Sequence, residues 1–503
     1  MINRTTRTLA AARREFQILQ VVLIAGALMA VIVMALATST EEKGPYFATG
    51  IKICEVDTSS AIIWTRLTRN AVREGKDRPL PVVRYKDPET GKPTDNRRGR
   101  PDMDPMVEFP KGSTIDTIEG AVPGAPGDVR VRYKVTGAGS WQMTNWVAVD
   151  PQRDFTAHFP LKGLEPATSY ELLVENRSGL AVNGKFRTAP LPDRPARAVF
   201  TVVTGTAYPD QDAPGGGYKI YAQMLKLDPN FFVHTGDIVY YDQLAKTQSL
   251  ARWHWQSMYS LPTNIEFHRQ LASYFIKDDH DTWMNDCWPT MKTRFMGDFT
   301  FKQGQAIFLE QVGMGDMTLR TFRWGRDLQV WLPEGRDFRS PNNMPDGPEK
   351  SIWGKEQKEW FQQTVQASDS TFRLLISPTP LVGPDRENKG DNHANKQFTH
   401  EGEELRRFIA SQKNMYVVTG DRHWQYVSVD SKTGVREYSC GPASDQHAGG
   451  YRMDQRRPEH RYLNIVGGFL AGTVERVDDK PVLIFRHYSV DGKILNEDRL
   501  PAK

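Results

Sequence analysis

The segment Phe231-Phe-Val-His-Thr-Gly-Asp-Ile-Val-Tyr240 constrains this chain more than any other. Its apolar run reads as a buried strand that stops at Gly236-Asp237, so one carboxylate is delivered to the strand's C-terminal end. In open α/β sheets that edge is where ligands bind. The pattern returns at Tyr416-Val-Val-Thr-Gly-Asp-Arg-His423 and, with a denser acidic end, at Tyr274-Phe-Ile-Lys-Asp-Asp-His-Asp281. Three strand ends bearing Asp and His point to a metal site.

The surrounding texture divides the chain. Ala61–Leu67 and Val129–Val135 read as strands, the second alternating apolar and basic residues as a half-exposed strand does. A Gly163-Leu-Glu-Pro166 turn precedes a strand carrying Tyr170, and Gly184–Pro190 closes the region. Short strands between turn signals resemble the end of a fibronectin-type sandwich. The polar stretch from Arg73 to Lys111 reads as a surface insertion. Past the proline-rich Ala189–Pro195, strands at 199–203, 231–234, 328–332, 372–376 and 415–418 alternate with helices at 218–227, 353–364 and 401–410, which predicts a layered α/β domain. A final strand is read at 481–488. The expected organisation is an export signal or anchor over 1–42, a fibronectin-like β-sandwich over 43–192, and a four-layer α/β/β/α domain over 193–503.

Composition excludes some partners. A net charge of +4 over 503 residues is too balanced to call for nucleic acid, and no stable protein partner is expected. Cys54, Cys287 and Cys440 lack the spacing of a zinc site or a disulfide framework, so three unpaired buried thiols are expected. At the N-terminus, Arg13-Arg14-Glu-Phe16 and the apolar Val21–Ala37 form an export signal with twin-arginine character. The run also approaches the roughly 20 residues that span a bilayer. Cleavage after Ala37 and retention as a membrane anchor both place the chain outside the cytoplasm, in the periplasm or at the cell surface.

Asp-rich clusters with one or two His suit calcium, iron, manganese, magnesium or zinc. The candidate ligands are Asp237, Tyr240 three residues on, Asp279, Asn285, and the pair Asp421 and His423, whose i, i+2 spacing points both side chains one way. Alone, a Gly-Asp after a strand also marks a turn, and Asp-Arg-His a surface ion pair. Three carboxylates within Asp278–Asp281 are harder to explain without a cation.

Gly236-Asp237-Ile-Val-Tyr240, Asp278-Asp279-His280-Asp281, Glu334-Gly-Arg336-Asp-Phe-Arg339 and Gly420-Asp421-Arg-His423, in this order, resemble the motifs of the metallophosphoesterase superfamily and, within it, the alkaline phosphatase D (PhoD-like) family. The resemblance implies Asp237 as a carboxylate bridging metals, calcium and iron by family habit, with Tyr240 as a phenolate ligand to iron. Asp279 falls at a ligand position and His280 beside the leaving group, while Asp421 and His423 complete the coordination. Arg336, Arg339 and Arg422 are candidate clamps for phosphate oxygens.

The chain also departs from the family. Where the family's first strand ends in Ser-Cys-Gln with a ligand thiolate, this one reads Thr204-Gly205-Thr206. The polar run Asp385–Asn395 is a candidate to complete the site. Gly215–Gly217 lacks the Lys-Ser/Thr of a phosphate loop and reads as a turn. The function implied is an exported metal-dependent phosphoesterase hydrolysing phosphate mono- or diesters by metal-activated hydroxide. The alternatives are an exported binding protein that kept the fold without turnover, and a hydrolase of a related ester such as a sulfate.

Overall fold

The computed structural model describes residues 44–95 and 103–503, and Pro45–Lys503 forms one compact unit. The export segment read over 1–42 lies outside the described residues. Among the described residues no helix is long and apolar enough to cross a membrane.

Two large sheets face each other across one core. The first has nine strands in the order Ile494–Pro501, Lys480–Tyr488, Phe469–Val477, Ala198–Val203, Phe231–His234, Ala272–Phe275, Ile51–Cys54, Ser60–Arg66 and Thr156–Lys162. The four from Ala198–Val203 to Ile51–Cys54 run parallel. The second sheet has seven strands, of which Leu328–Leu332, Phe372–Ser377, Met415–Thr419 and Arg436–Cys440 are parallel. Parallel strands are covered on both faces, and Ala198–Val203, Phe231–His234 and Met415–Thr419 accordingly read as nearly continuous apolar runs. Phe231–His234 and Met415–Thr419 are buried at every residue.

Facing side chains of the two sheets interlock. Phe231 stacks on Phe200 within its own sheet at 5.2 Å and on Trp324 of the other sheet at 5.0 Å. Residues pointing the opposite way, such as Phe232 and Phe275, pack under helices that include Gln248–Tyr259 and Phe301–Gln311. On the other sheet, Leu375 and Val417 pack under Gly354–Ala367 and Thr399–Ala410. The helix Phe301–Gln311 starts at a capping box in which Thr300 and Gln303 satisfy each other's backbone N–H groups.

The region before residue 193 is not closed on itself. A five-stranded sheet carries Asp128–Val135, Ser169–Asn176 and Ala181–Arg187, and its apolar face shares the core with Ile51, Ile63 and Phe159 of the nine-stranded sheet. Strands from both sides of the 192/193 boundary are therefore hydrogen-bonded in one sheet, with Ile53 paired to Ala272. The reason is non-local: Ile51–Cys54 is buried throughout and supplies the parallel partner that Ala272–Phe275 needs. The Gly163–Pro166 turn does behave as its sequence suggests, since the Tyr170 hydroxyl accepts the Glu165 N–H at 2.8 Å. The polar insertion is more than surface loop. It builds a three-stranded sheet from Val82–Lys86, Pro93–Thr94 and Asp104–Glu108, and Tyr85 stacks on Phe295 of the helical layer at 5.7 Å. All three cysteines are free and buried.

Candidate metal centre

The C-terminal ends of the parallel strands of both sheets meet along one edge. Contacts between the two sheets seam it: Asp421 N–H donates to the Thr204 hydroxyl at 3.1 Å, and Ala443 N–H to the Gly205 carbonyl at 3.0 Å. The first sheet brings Gly236-Asp237 and Asp278–Asp281, and the second brings Glu334–Arg339, Gly420–His423 and Gly441–His447. The two Gly-Asp ends share a backbone shape. Asp237 has φ +56° and Asp421 φ +61°, a region that residues other than glycine adopt at a cost. Gly236 must be glycine, because its φ is +106° and a Cβ there would sit 2.5 Å from that of Asp278.

The structure brings together most of the residues read from the sequence. Ligand atoms of Asp237, Asp279 and His280 lie within 4.8 Å of one another, as do those of Asp237, Asp278 and Asp421. Tyr240 Oη lies 3.5 Å from Asp237 Oδ2 and 3.2 Å from His423 Nε2, which is itself 3.4 Å from Asp237 Oδ2. Asp237 Oδ1 and Asp278 Oδ2 are buried with no hydrogen-bond partner. Burial, then repulsion from Asp279, Asp278 and Asp421, drives the Asp237 carboxyl well above the usual range. Burial, and then Asp391 and Asp279, lift Asp421 to about 7 against the pull of Arg422 and Lys389. Burial and the neighbouring positive groups hold His423 neutral, as a ligand must be. Orphaned carboxylate oxygens among mutually repelling acids are the donor set that cations fit.

Other expectations are corrected. Asn285 is exposed, and its backbone N–H lies 3.4 Å from Asp242 Oδ2. The run Asp385–Asn395 does not complete the ligand set. Asp385 and Asp391 instead face Arg422 at 3.1 and 3.5 Å, and His393 turns away to Glu401 at 2.9 Å. The three arginines are engaged with protein groups. Arg336 is fully buried against Asp278 at 2.6 Å and Asp279 at 3.8 Å, Arg422 contacts Asp421, and Arg339 donates to Asn342 and the Asp391 carbonyl. Burial opposes the charge of Asp279, but Arg336, His280 and the Asp286 N–H keep it ionised. Lys277 bridges the sheets through Glu334 at 2.6 Å and Asp337 at 2.7 Å.

Three groups escaped the sequence reading. Asp242 accepts from His280 Nδ1 at 3.0 Å, and its charge, with that of Asp279, overcomes burial and holds the imidazole protonated. His447 Nε2 lies 2.6 Å from Tyr240 Oη, and its Nδ1 lies 2.9 Å from Asp210. A signal for His447 exists in Arg436–Cys440, a further strand followed by Ser444-Asp-Gln-His447. Asp210 has none, since a lone Tyr-Pro-Asp reads as a turn.

Comparison with known proteins agrees with this geometry. The family model described as PhoD-like phosphatase matches residues 200–466, more than half of the chain. Among solved structures, one titled "Structure of PhoD" superposes with a TM-score of 0.66 at 16% identity, covering 90% of this chain and 89% of that one. The purple acid phosphatase PPD1 from yellow lupin (Lupinus luteus) seeds gives 0.59 at 12% identity, covering 90% and 74%. Among curated proteins the sequence comparison returns no match. The family match and the site define a hydrolase of phosphoric ester bonds. More narrowly, the chain belongs to the PhoD-like phosphatase family.

Proposed function

We propose that this chain is an exported, metal-dependent hydrolase of phosphate mono- or diesters. One observation carries the metal dependence: Asp237, Asp278, Asp279 and Asp421 gather at the seam of the two sheets, and Asp237, Asp278 and Asp421 each keep a buried carboxylate oxygen without a hydrogen-bond partner. The carboxylate side suits a hard ion such as calcium, and the side of Tyr240 and His423 suits iron, manganese or zinc. Cations held there would lower the pKa of a water molecule and neutralise charge on the phosphoryl oxygens.

The chain's own groups supply the remaining functions. His280 is partly exposed, packs against Tyr240 with ring centroids 4.5 Å apart, and is oriented by Asp242. Its proton serves the departing alkoxide or aryl oxide. Arg336, Arg339 and Arg422 each keep Nη1 buried without a hydrogen-bond partner, and these nitrogens suit the non-transferred oxygens. The arginine and apolar pattern of residues 13–37 supports export, with the segment either cleaved or kept as an anchor.

The test is hydrolysis of aryl phosphate mono- and diesters by the metal-loaded chain beside Asp237→Asn and His423→Ala. Both variants are expected to lose at least about 100-fold in kcat/KM, the upper end of what metal-site partners cost. Wild-type rates no higher than those of the variants, with metal bound, would reject the reading.

A further inference from the structure

We propose that His447 is a metal ligand, and that it forms with Asp237, Tyr240 and His423 a second coordination site held in tune by Asp210. The inference rests on the metal-dependent reading above, and it assigns a ligand that no motif announces.

Three donor atoms surround Tyr240 Oη, one of them on Asp237, which also belongs to the carboxylate cluster. His447 Nε2 and His423 Nε2 lie 2.6 and 3.2 Å from Tyr240 Oη, and Asp237 Oδ2 lies 3.5 Å from the same oxygen. The two imidazoles lie with ring centroids 4.1 Å apart. Two imidazoles, a phenol and a carboxylate are a donor set for a borderline cation such as iron, manganese, cobalt or zinc. Asp237 is placed to join the two sites, because Oδ2 faces this group while Oδ1 has no protein partner.

Asp210 is the independent sign that His447 is built for coordination. It accepts from His447 Nδ1 at 2.9 Å, which fixes the proton on Nδ1 and leaves the Nε2 lone pair directed at Tyr240 and its neighbours. A carboxylate behind an imidazole, setting its tautomer and raising its basicity, is the usual support of a metal-bound histidine.

Gly205 makes the room. Its φ of +56° suits glycine, and a Cβ on it would stand 3.1 Å from His447 and 3.3 Å from His423. A side chain at 205 and the imidazole of His447 therefore compete for one space, and this chain fills that space from the loop after Arg436–Cys440. The site is thus completed by a residue more than two hundred positions downstream of the strand end beside it.

The test counts metal instead of turnover. The purified chain is stripped with chelator and reloaded with cobalt; bound ions are counted by elemental analysis, and the visible absorption of cobalt reports the ligand set. Wild type is expected to bind an ion at each site. His447→Ala should lose one ion and the corresponding absorption while the metal-free form melts as wild type does. Asp210→Asn should keep both ions with roughly 10- to 100-fold weaker binding of one. If His447→Ala does not fold, His447→Gln and Asp210→Asn provide the same reading. Unchanged ion count, affinity and absorption in the variants, beside a wild type that binds metal, would overturn the role of His447 alone. A wild type that binds no cobalt would overturn the metal centre and His447 with it.

Discussion

At the scale of single residues, the site depends on backbone shapes that few side chains allow. Gly236 lies between a strand and the strained Asp237, with the Asp278 backbone directly against it. Gly236→Ala combines a left-handed φ with a clash, so it is expected to cost about 2–5 kcal/mol by urea denaturation and to displace Asp237. Arg336 is the buried counterion of Asp278 and Asp279. Arg336→Met leaves both carboxylates facing each other, and a loss of about 3–5 kcal/mol is expected in the metal-free protein. Bound cations would relieve part of that repulsion, so chelator-treated and metal-loaded melts of this variant should differ by more than those of wild type. An equal difference in the two proteins would contradict the pairing.

At the scale of elements, helix Thr399–Ala410 is tied to the loop before Gly354–Ala367 through one carboxylate. Glu401 accepts from Ser351, from Ile352 N–H at 2.6 Å and from His393 Nε2 at 2.9 Å. Burial opposes its charge, yet these hydrogen bonds outweigh it and hold the carboxyl at about 2, below its ordinary 4.5. Because the folded value is the lower one, the stabilisation is complete above about pH 4.5 and is lost as pH falls toward 2. Glu401→Gln should therefore be less stable than wild type near neutrality, with the gap narrowing on acidification in urea melts. A gap that does not change with pH would exclude the charged form as its source.

The elements were also the most legible part of the sequence. Phe231–His234 and Met415–Thr419 declare themselves by apolar runs that lead into Thr-Gly, and Leu328–Leu332 by an apolar run broken only at Gln329 and ended by Pro333. The strand ends carrying Asp237, Asp279, Asp421 and His423 follow directly, because a local pattern places them. The helices Gln248–Tyr259 and Phe301–Gln311 are weaker signals: their faces mix Trp, His, Gln and Arg, and packing decides them. Asn285 was misplaced because proximity in sequence to Asp281 says nothing about where the turn points. Asp242 and Asp210 carry no such local pattern, and His447 has only the strand Arg436–Cys440 ahead of it. Each acts on a residue from another element, and only closure of the two sheets creates the contact.

At the scale of the whole molecule, the region before residue 193 supplies three strands to the nine-stranded sheet. Residues 193–503 expressed alone would expose Ala272–Phe275 as a long-buried apolar edge, the situation that leads to aggregation. That fragment is expected to be insoluble, or to elute as large aggregates on size exclusion, whereas residues 44–503 elute as a folded species. A soluble, cooperatively melting fragment would show that the sheet closes without Ile51–Cys54.

The same strand has a consequence in time. Ile51–Cys54 leaves the ribosome early, and its parallel partner, paired through Ile53 and Ala272, is synthesised far later. Of the strands in this sheet, the border strand Ile494–Pro501 is synthesised last. No growing chain can therefore finish this sheet from one end, and assembly must wait for residues at both extremes. Contacts this distant slow the final folding step. Pulse-labelled hydrogen exchange should find Ile51–Cys54 and Phe469–Val477 protected together and late, after the central parallel strands. Until Ile494–Pro501 is made, the sheet that carries Asp237 and Asp279 lacks one of its borders.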